Sequence, residues 1–226
     1  MNRTAVKRIL RALSAVAITL VAGYAFGMGP GESGEFEYDG IRQLQITGGT
    51  FDHQVEGERL EIDSSTGDIQ VEEAATSLNV KTSTGEVEIL DASGPFDITT
   101  STGDISFRNT SGEIRAESST GTHTYRNVIG DLWARSTTGR IEIDGIQGTL
   151  TLRTSTGRQL GRDVALTGDS SFESSTGDIA MDLKNDVESL EFDLRSTTGS
   201  LRVGGDQSQR ELYLGGTGFL IRGKSS

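Results

Sequence analysis

From Leu60 onward, apolar and polar residues alternate in short runs, and the runs recur. "LEIDSSTGDIQV" (Leu60 to Val71), "LNVKTSTGEVEI" (Leu78 to Ile89) and "FDITTSTGDISF" (Phe96 to Phe107) share one template. Two apolar residues spaced by two precede a Ser/Thr-Thr-Gly element, and two more follow it. A spacing of two places side chains on one face of a strand, so each unit predicts two short strands joined by a turn. The turn glycines Gly67, Gly85, Gly103, Gly121, Gly139 and Gly157 stand 18 residues apart, and Gly177 and Gly199 follow after 20 and 22.

The apolar residues keep that period. Five positions before each turn glycine stand Ile62, Val80, Ile98, Ala116, Ala134, Leu152, Phe172 and Leu194. Two positions after stand Ile69, Val87, Ile105, His123, Ile141, Gln159, Ile179 and Leu201. A further glycine nine residues before the turn (Gly94, Gly112, Gly130, Gly148, Gly168) marks another corner. No helical spacing occurs after the N-terminal segment.

Propeller blades need about 40 residues and four strands each, more than this unit offers. Antiparallel hairpins need a turn signal suited to two-residue loops, such as Asn-Gly, whereas the repeated element here is Ser/Thr-Thr-Gly. If each unit is instead one rung of a coil, equal positions stack and every rung bonds to the next at about 4.8 Å. The pattern therefore predicts an all-β, single-stranded parallel β-solenoid of about nine rungs, roughly 40 Å long at that spacing.

Within a rung, the phase running through Phe96 and Ile98 continues to Thr100 and Thr102, which predicts both threonines inward and Ser101 outward. The equivalents Ser64, Thr82, Ser118, Ser136 and Thr154, and Thr66, Thr84, Thr120, Thr138 and Thr156, would then form internal hydroxyl ladders. Flat outward rows of Thr-x-Thr are a mark of ice-binding solenoids, and the inward phase speaks against that reading. Terminal rungs of a solenoid are irregular and protect its edges. Ile41 to Val55, with Gly49 one period before Gly67, reads as a degenerate first rung; Glu211 to Ser226, with Gly218, reads as a degenerate last one. Extra residues are expected at Gly157 to Ala165, Asp182 to Ser189 and Gly204 to Arg210.

The N-terminus has a different pattern. Arg3, Lys7, Arg8 and Arg11 precede an uncharged apolar run from Ala12 to Gly29. A basic start and a short apolar core mark an export signal, with "GYA" (Gly23 to Ala25) suited to cleavage. The run approaches the ~20 residues that span a bilayer, so an uncleaved helical anchor is the competing form. The expected organisation is a signal or anchor over 1–28, a linker over 29–40 and the solenoid over 41–226.

Composition narrows the function classes. Only 33% of residues are hydrophobic, which excludes a thick globular core and suits a thin coil. A net charge of −12 disfavours nucleic-acid phosphates and anionic lipid, leaving membrane contact only through the N-terminal segment. The absence of cysteine excludes disulfides and thiolate metal sites.

Candidate chemistry is sparse. Asp68, Glu86 and Asp104 follow three stacked turn glycines, and such a row of hard oxygen ligands could hold calcium; the alternative is a solvated edge relieved by Lys81, Arg135 and Arg153. His53 and His123 are the only histidines, and His123 occupies an inward slot, as a filler would. No GxSxG, HExxH or phosphate-loop pattern occurs. Polysaccharide lyases also use parallel β-helices, but their clefts need wide rungs, and these are lean.

The tandem template, together with the basic and apolar N-terminus, resembles a bacterial family that carries the adhesin label, an envelope domain otherwise of unknown function. The resemblance covers roughly residues 41 to 226. It implies an extracytoplasmic β-solenoid, often beside envelope-stress systems, and carries over no catalytic residue. The expectation is an exported, non-enzymatic cell-envelope protein without a cofactor. It would act as an adhesin-like binder or structural scaffold, with an envelope protein or surface glycan as partner. The alternatives are a polysaccharide-active β-helix enzyme and a calcium-organised surface scaffold.

Overall fold

The computed structural model of the chain describes residues 59–72, 77–197 and 200–225. It also describes short strands at Arg8–Ile9, Ala17–Leu20, Phe26–Gly27, Glu35–Phe36, Leu44–Thr47 and His53–Val55. The expected N-terminal helix and the linker otherwise lie outside the described residues, as do Gly49 and Gly199.

The coil makes about seven regular turns, and each turn gives one strand to each of two parallel sheets. The strands are β1 (Arg59–Thr66), β2 (Ile69–Glu72), β3 (Ser77–Thr84), β4 (Val87–Leu90), β5 (Phe96–Thr102), β6 (Ile105–Ser111) and β7 (Ile114–Thr120). They continue as β8 (His123–Ile129), β9 (Leu132–Thr138), β10 (Ile141–Gly148), β11 (Leu150–Thr156), β12 (Gln159–Leu166), β13 (Ser170–Thr176) and β14 (Ile179–Leu183). Odd strands form a front sheet and even strands a back sheet. The register is the predicted one: Thr84 pairs with Thr102, Phe96 with Ile114, and Val87 with Ile105.

Inward side chains of the two sheets meet in a single layer. Leu78, Val80, Phe96 and Ile98 from the front face Val87, Ile89, Ile105 and Phe107 from the back, all buried. Aromatic rings run along the axis: Phe96 meets Phe107 edge-on at 5.5 Å, and Phe107 stacks on Tyr125 at 5.6 Å. A core only two side chains thick needs few apolar residues, which accounts for the low hydrophobic content.

A third corner was not foreseen. Asp91, Asn109, Asn127, Gly145 and Asp163 share one position and a left-handed backbone, with φ of 49, 53, 54, 72 and 55°. Asn and Asp tolerate this region better than other side chains do. The Asn109 amide donates to Asp91 Oδ1 at 3.0 Å, and the Asn127 amide to Asn109 Oδ1 at 3.0 Å.

Several expectations need correction. The two extra residues of the sixth turn are not within Gly157 to Ala165, because β12 holds an 18-residue step against β10 as far as Gly148↔Leu166. The next front pair is Thr151↔Ser171, so the chain lengthens at the corner between them, around residues 167–169. At the N-terminal end, Leu44 pairs with Leu60 and His53 with Ile69, a step of 16. That step is two residues shorter than the 18-residue period expected for the first rung.

The C-terminal end departs furthest. β15 (Glu191–Ser196) carries the repeat pattern and was expected to stack on β13. Instead the last strand, β19 (Leu220–Ser225), lies between them, parallel to both. β18 (Glu211–Leu214) pairs antiparallel with the outer edge of β15, and β16 (Leu201–Val203) pairs antiparallel with β17 (Asp206–Ser208). The C-terminal segment is therefore an inserted strand rather than a final rung.

Candidate functional site

The repeated turn is the first candidate. Gly103 has φ +150°, and a Cβ there would stand 1.8 Å from the Gly85 carbonyl oxygen one rung below. Gly85, Gly121, Gly139, Gly157 and Gly177 meet the same obstruction, each against the glycine one rung earlier. Glycine is thus required twice, by backbone conformation and by the close stacking of carbonyls.

The hydroxyl residue three positions before each glycine is buried, as predicted, in Ser64, Thr82, Thr100, Ser118, Ser136 and Thr154. Several of these hydroxyls satisfy turn carbonyls: Ser64 Oγ donates to Thr66 O at 3.3 Å, and Thr82 Oγ1 to Thr84 O at 3.4 Å. The threonine one position before the glycine is exposed, not inward, at Thr66, Thr84, Thr102, Thr120, Thr138 and Thr156. The reason is visible in the ladder. Thr100 and Thr102 both pair with the next rung while Ser101 is skipped, so the chain bends there and the strand phase slips by one. Ser101 and Thr102 consequently lie side by side on a convex corner. With Thr100 buried and Thr102 exposed, the two threonines of a Thr-x-Thr do not share an outward face.

The acidic row is also structural. Asp68 Oδ1 accepts the Glu86 amide at 2.8 Å, and Asp104 Oδ1 accepts the Thr122 amide at 2.7 Å. Asp131 does the same for the Thr149 amide at 3.0 Å at the second corner. An Asp after a corner glycine therefore tethers the next rung. Burial raises the pKa of the Glu86 carboxyl, and repulsion from Glu88, Asp104 and Asp68 raises it further. Among the described residues no three His, Asp or Glu side chains converge in a metal-holding group.

His123 fills its inward slot and is 0% exposed. Its Nε2 lies 2.7 Å from Ser118 Oγ and its Nδ1 3.2 Å from Tyr125 Oη, and Ser118 Oγ donates to Ser136 Oγ at 3.3 Å. The geometry is that of a Ser–His pair, but Ser118 is only 2% exposed and the ring is sealed between the sheets. Burial lowers the imidazole pKa to about 4, and Asp104 opposes this weakly. A neutral, enclosed imidazole satisfies polar neighbours and has no approach for a substrate.

Two surface features remain. On the front sheet, Arg135, Arg153 and Lys224 line a shallow groove of about 280 Å³ with Ser155 and Ser175. Arg135 lies 3.5 Å from Glu117 and Arg153 3.3 Å from Glu173, while the Arg115 guanidinium stacks 3.7 Å over the ring of Trp133. At the C-terminal end a larger cavity of about 570 Å³ opens between β14 and β16. It is lined by Ile179, Met181, Leu183, Leu201 and Val203. Sequence reasoning passed over both, because each depends on which rungs are neighbours in space.

Comparison with known proteins gives a family. The Toastrack DUF4097 profile matches residues 32–125 and again residues 110–215. No curated protein and no solved structure matches the chain. The chain belongs to the Toastrack DUF4097 family.

Proposed function

We propose that this Toastrack DUF4097 protein is an exported, non-enzymatic scaffold of the cell envelope that binds a surface glycan or an envelope protein along its rod. The observation that carries the proposal is the stacking itself. Rungs locked at an 18-residue step present every outward residue type as a straight row, a rigid array rather than a cleft. The basic and apolar N-terminus supports the exported part of this reading.

A non-enzymatic role is supported by the sealing of the Ser118–His123 pair and by the use of Asp68 and Asp104 as amide acceptors. The front groove suits a carbohydrate: Ser155 and Ser175 offer hydroxyls, and Arg135, Arg153 and Lys224 suit carboxylate groups on an acidic sugar. The groove stands out against a chain whose net charge is −12.

The test is retention of purified chain on immobilised envelope glycans and proteins, with parallel assay for glycan turnover. Binding without turnover, weakened by Arg153→Glu, is the expected result. Turnover of a defined glycan that is lost on substituting one carboxylate cluster would overturn the proposal.

A further inference from the structure

Among the described residues, the C-terminal end has fewer back strands than front strands, and the space left beside β14 has the shape of a site. On the front sheet β19 separates β13 from β15, so these two strands stand two ladder spacings apart, about 9.6 Å. β13 leads into β14 on the back sheet, and β15 leads into β16. No described strand pairs with the outer edge of β14: the back sheet ends there, and β16 stands across the cavity in a separate two-stranded sheet with β17.

Three further observations agree. Ile179, Met181 and Leu183 of β14 and Leu201 and Val203 of β16 line one cavity of about 570 Å³, with Phe192 and Ile221 also in its wall. These β14 and β16 side chains are only partly buried, whereas their counterparts Ile105, Phe107, Ile141 and Ile143 are fully covered. The ladder also stops here. In each earlier rung the amide two positions after the turn glycine donates to the next rung: Ile105 to Thr122, His123 to Arg140, Ile141 to Arg158, Gln159 to Asp178. Ile179 makes no such bond to a later rung among the described residues.

We infer that the gap between β14 and β16 is an acceptor slot for a single extended peptide strand of a partner protein. The strand would run parallel to β14 with apolar side chains at alternate positions. Its alternate side chains would enter the cavity and complete the core, and its backbone would pair with Ile179 and Met181. The slot is bounded on both sides, so it takes a lone segment. The edge of a second folded copy would bring neighbouring strands that have no room. The inference goes beyond the scaffold role and stands without it: loss of glycan binding would leave the slot unaffected, and the reverse holds.

The probe is a capped heptapeptide with the sequence of residues 67–73, "GDIQVEE", which is the chain's own back-strand pattern. Hydrogen exchange and fluorescence anisotropy are measured on the full chain. The expected result is saturable binding with slowed exchange at Ile179 and Met181. At least tenfold weaker binding is expected for a peptide N-methylated at its Gln70 and Glu72 amides, the ones that face β14 in a parallel ladder, and for Met181→Asp, a partly buried position where the fold is checked by circular dichroism. Absence of protection at these amides would overturn the inference, as would equal binding by the N-methylated peptide. Protection that arises with protein concentration alone would also overturn it, because the occupant would then be a second copy.

Discussion

Acid should loosen this solenoid at one identifiable place. His123 is held neutral by burial, with its pKa lowered from 6.5 to about 4. The unfolded chain binds a proton there below about pH 6.5, while the folded chain does not until about pH 4. Stability from this group is therefore fully present above pH 6.5 and is lost as pH falls through that window. The interval between 6.5 and about 4, at about 1.4 kcal/mol per pH unit, gives about 3 kcal/mol in all. His123→Ile restores the aliphatic residue that Ile105 and Ile141 place in the same column on the neighbouring rungs. It also leaves Ser118 Oγ with Ser136 as a partner. Urea unfolding of both proteins at half-unit steps from pH 7.5 to 4 measures the effect, and their difference removes the carboxylate titrations they share. The wild-type chain should lose about 3 kcal/mol relative to the variant across the window. Parallel curves, or a histidine that titrates near 6.5 by NMR in the folded chain, would refute the reasoning.

Other predictions follow from the same geometry. Gly103→Ala should destabilise by more than about 3 kcal/mol in urea unfolding, since it adds left-handed strain of about 1–3 kcal/mol to a backbone collision; Thr102→Ala next to it, at an exposed position, should stay within about 0.5 kcal/mol. Asn127→Ala should cost about 1–2 kcal/mol, because alanine tolerates φ of 54° poorly and ends the amide ladder, and Asn127→Gly should cost less. Calcium or chelator should leave the melting temperature unchanged, since Asp68 and Asp104 already accept amides; a rise of several degrees with calcium would restore the metal reading.

The period, the two strands per rung and most of the core were legible because each rests on a local rule repeated many times. Phe96, Ile98, Ile105 and Phe107 were placed correctly by spacing alone. Thr102 was misplaced because alternation was carried through a corner, where the backbone bends and Ser101 drops out of the ladder. The left-handed corner at Asp91, Asn109, Asn127, Gly145 and Asp163 carried a readable signal, a column of Asn, Asp and Gly at the 18-residue period, that went unread. The inserted β19 had no comparable signal. Its pattern suits a rung on either side of β15, and only tertiary competition decides which neighbour it takes.

The central claim is that residues 18 apart are direct neighbours in one parallel column. The chain has no cysteine, so pairs can be introduced cleanly. Thr84→Cys with Thr102→Cys should form a disulfide readily under mild oxidation, since ladder neighbours lie within the reach of about 4.4–6.8 Å between Cα atoms. Thr84→Cys with Thr120→Cys, two rungs and about 9.6 Å apart, should not. Equal cross-linking of both pairs, or of neither, would contradict the stacked coil.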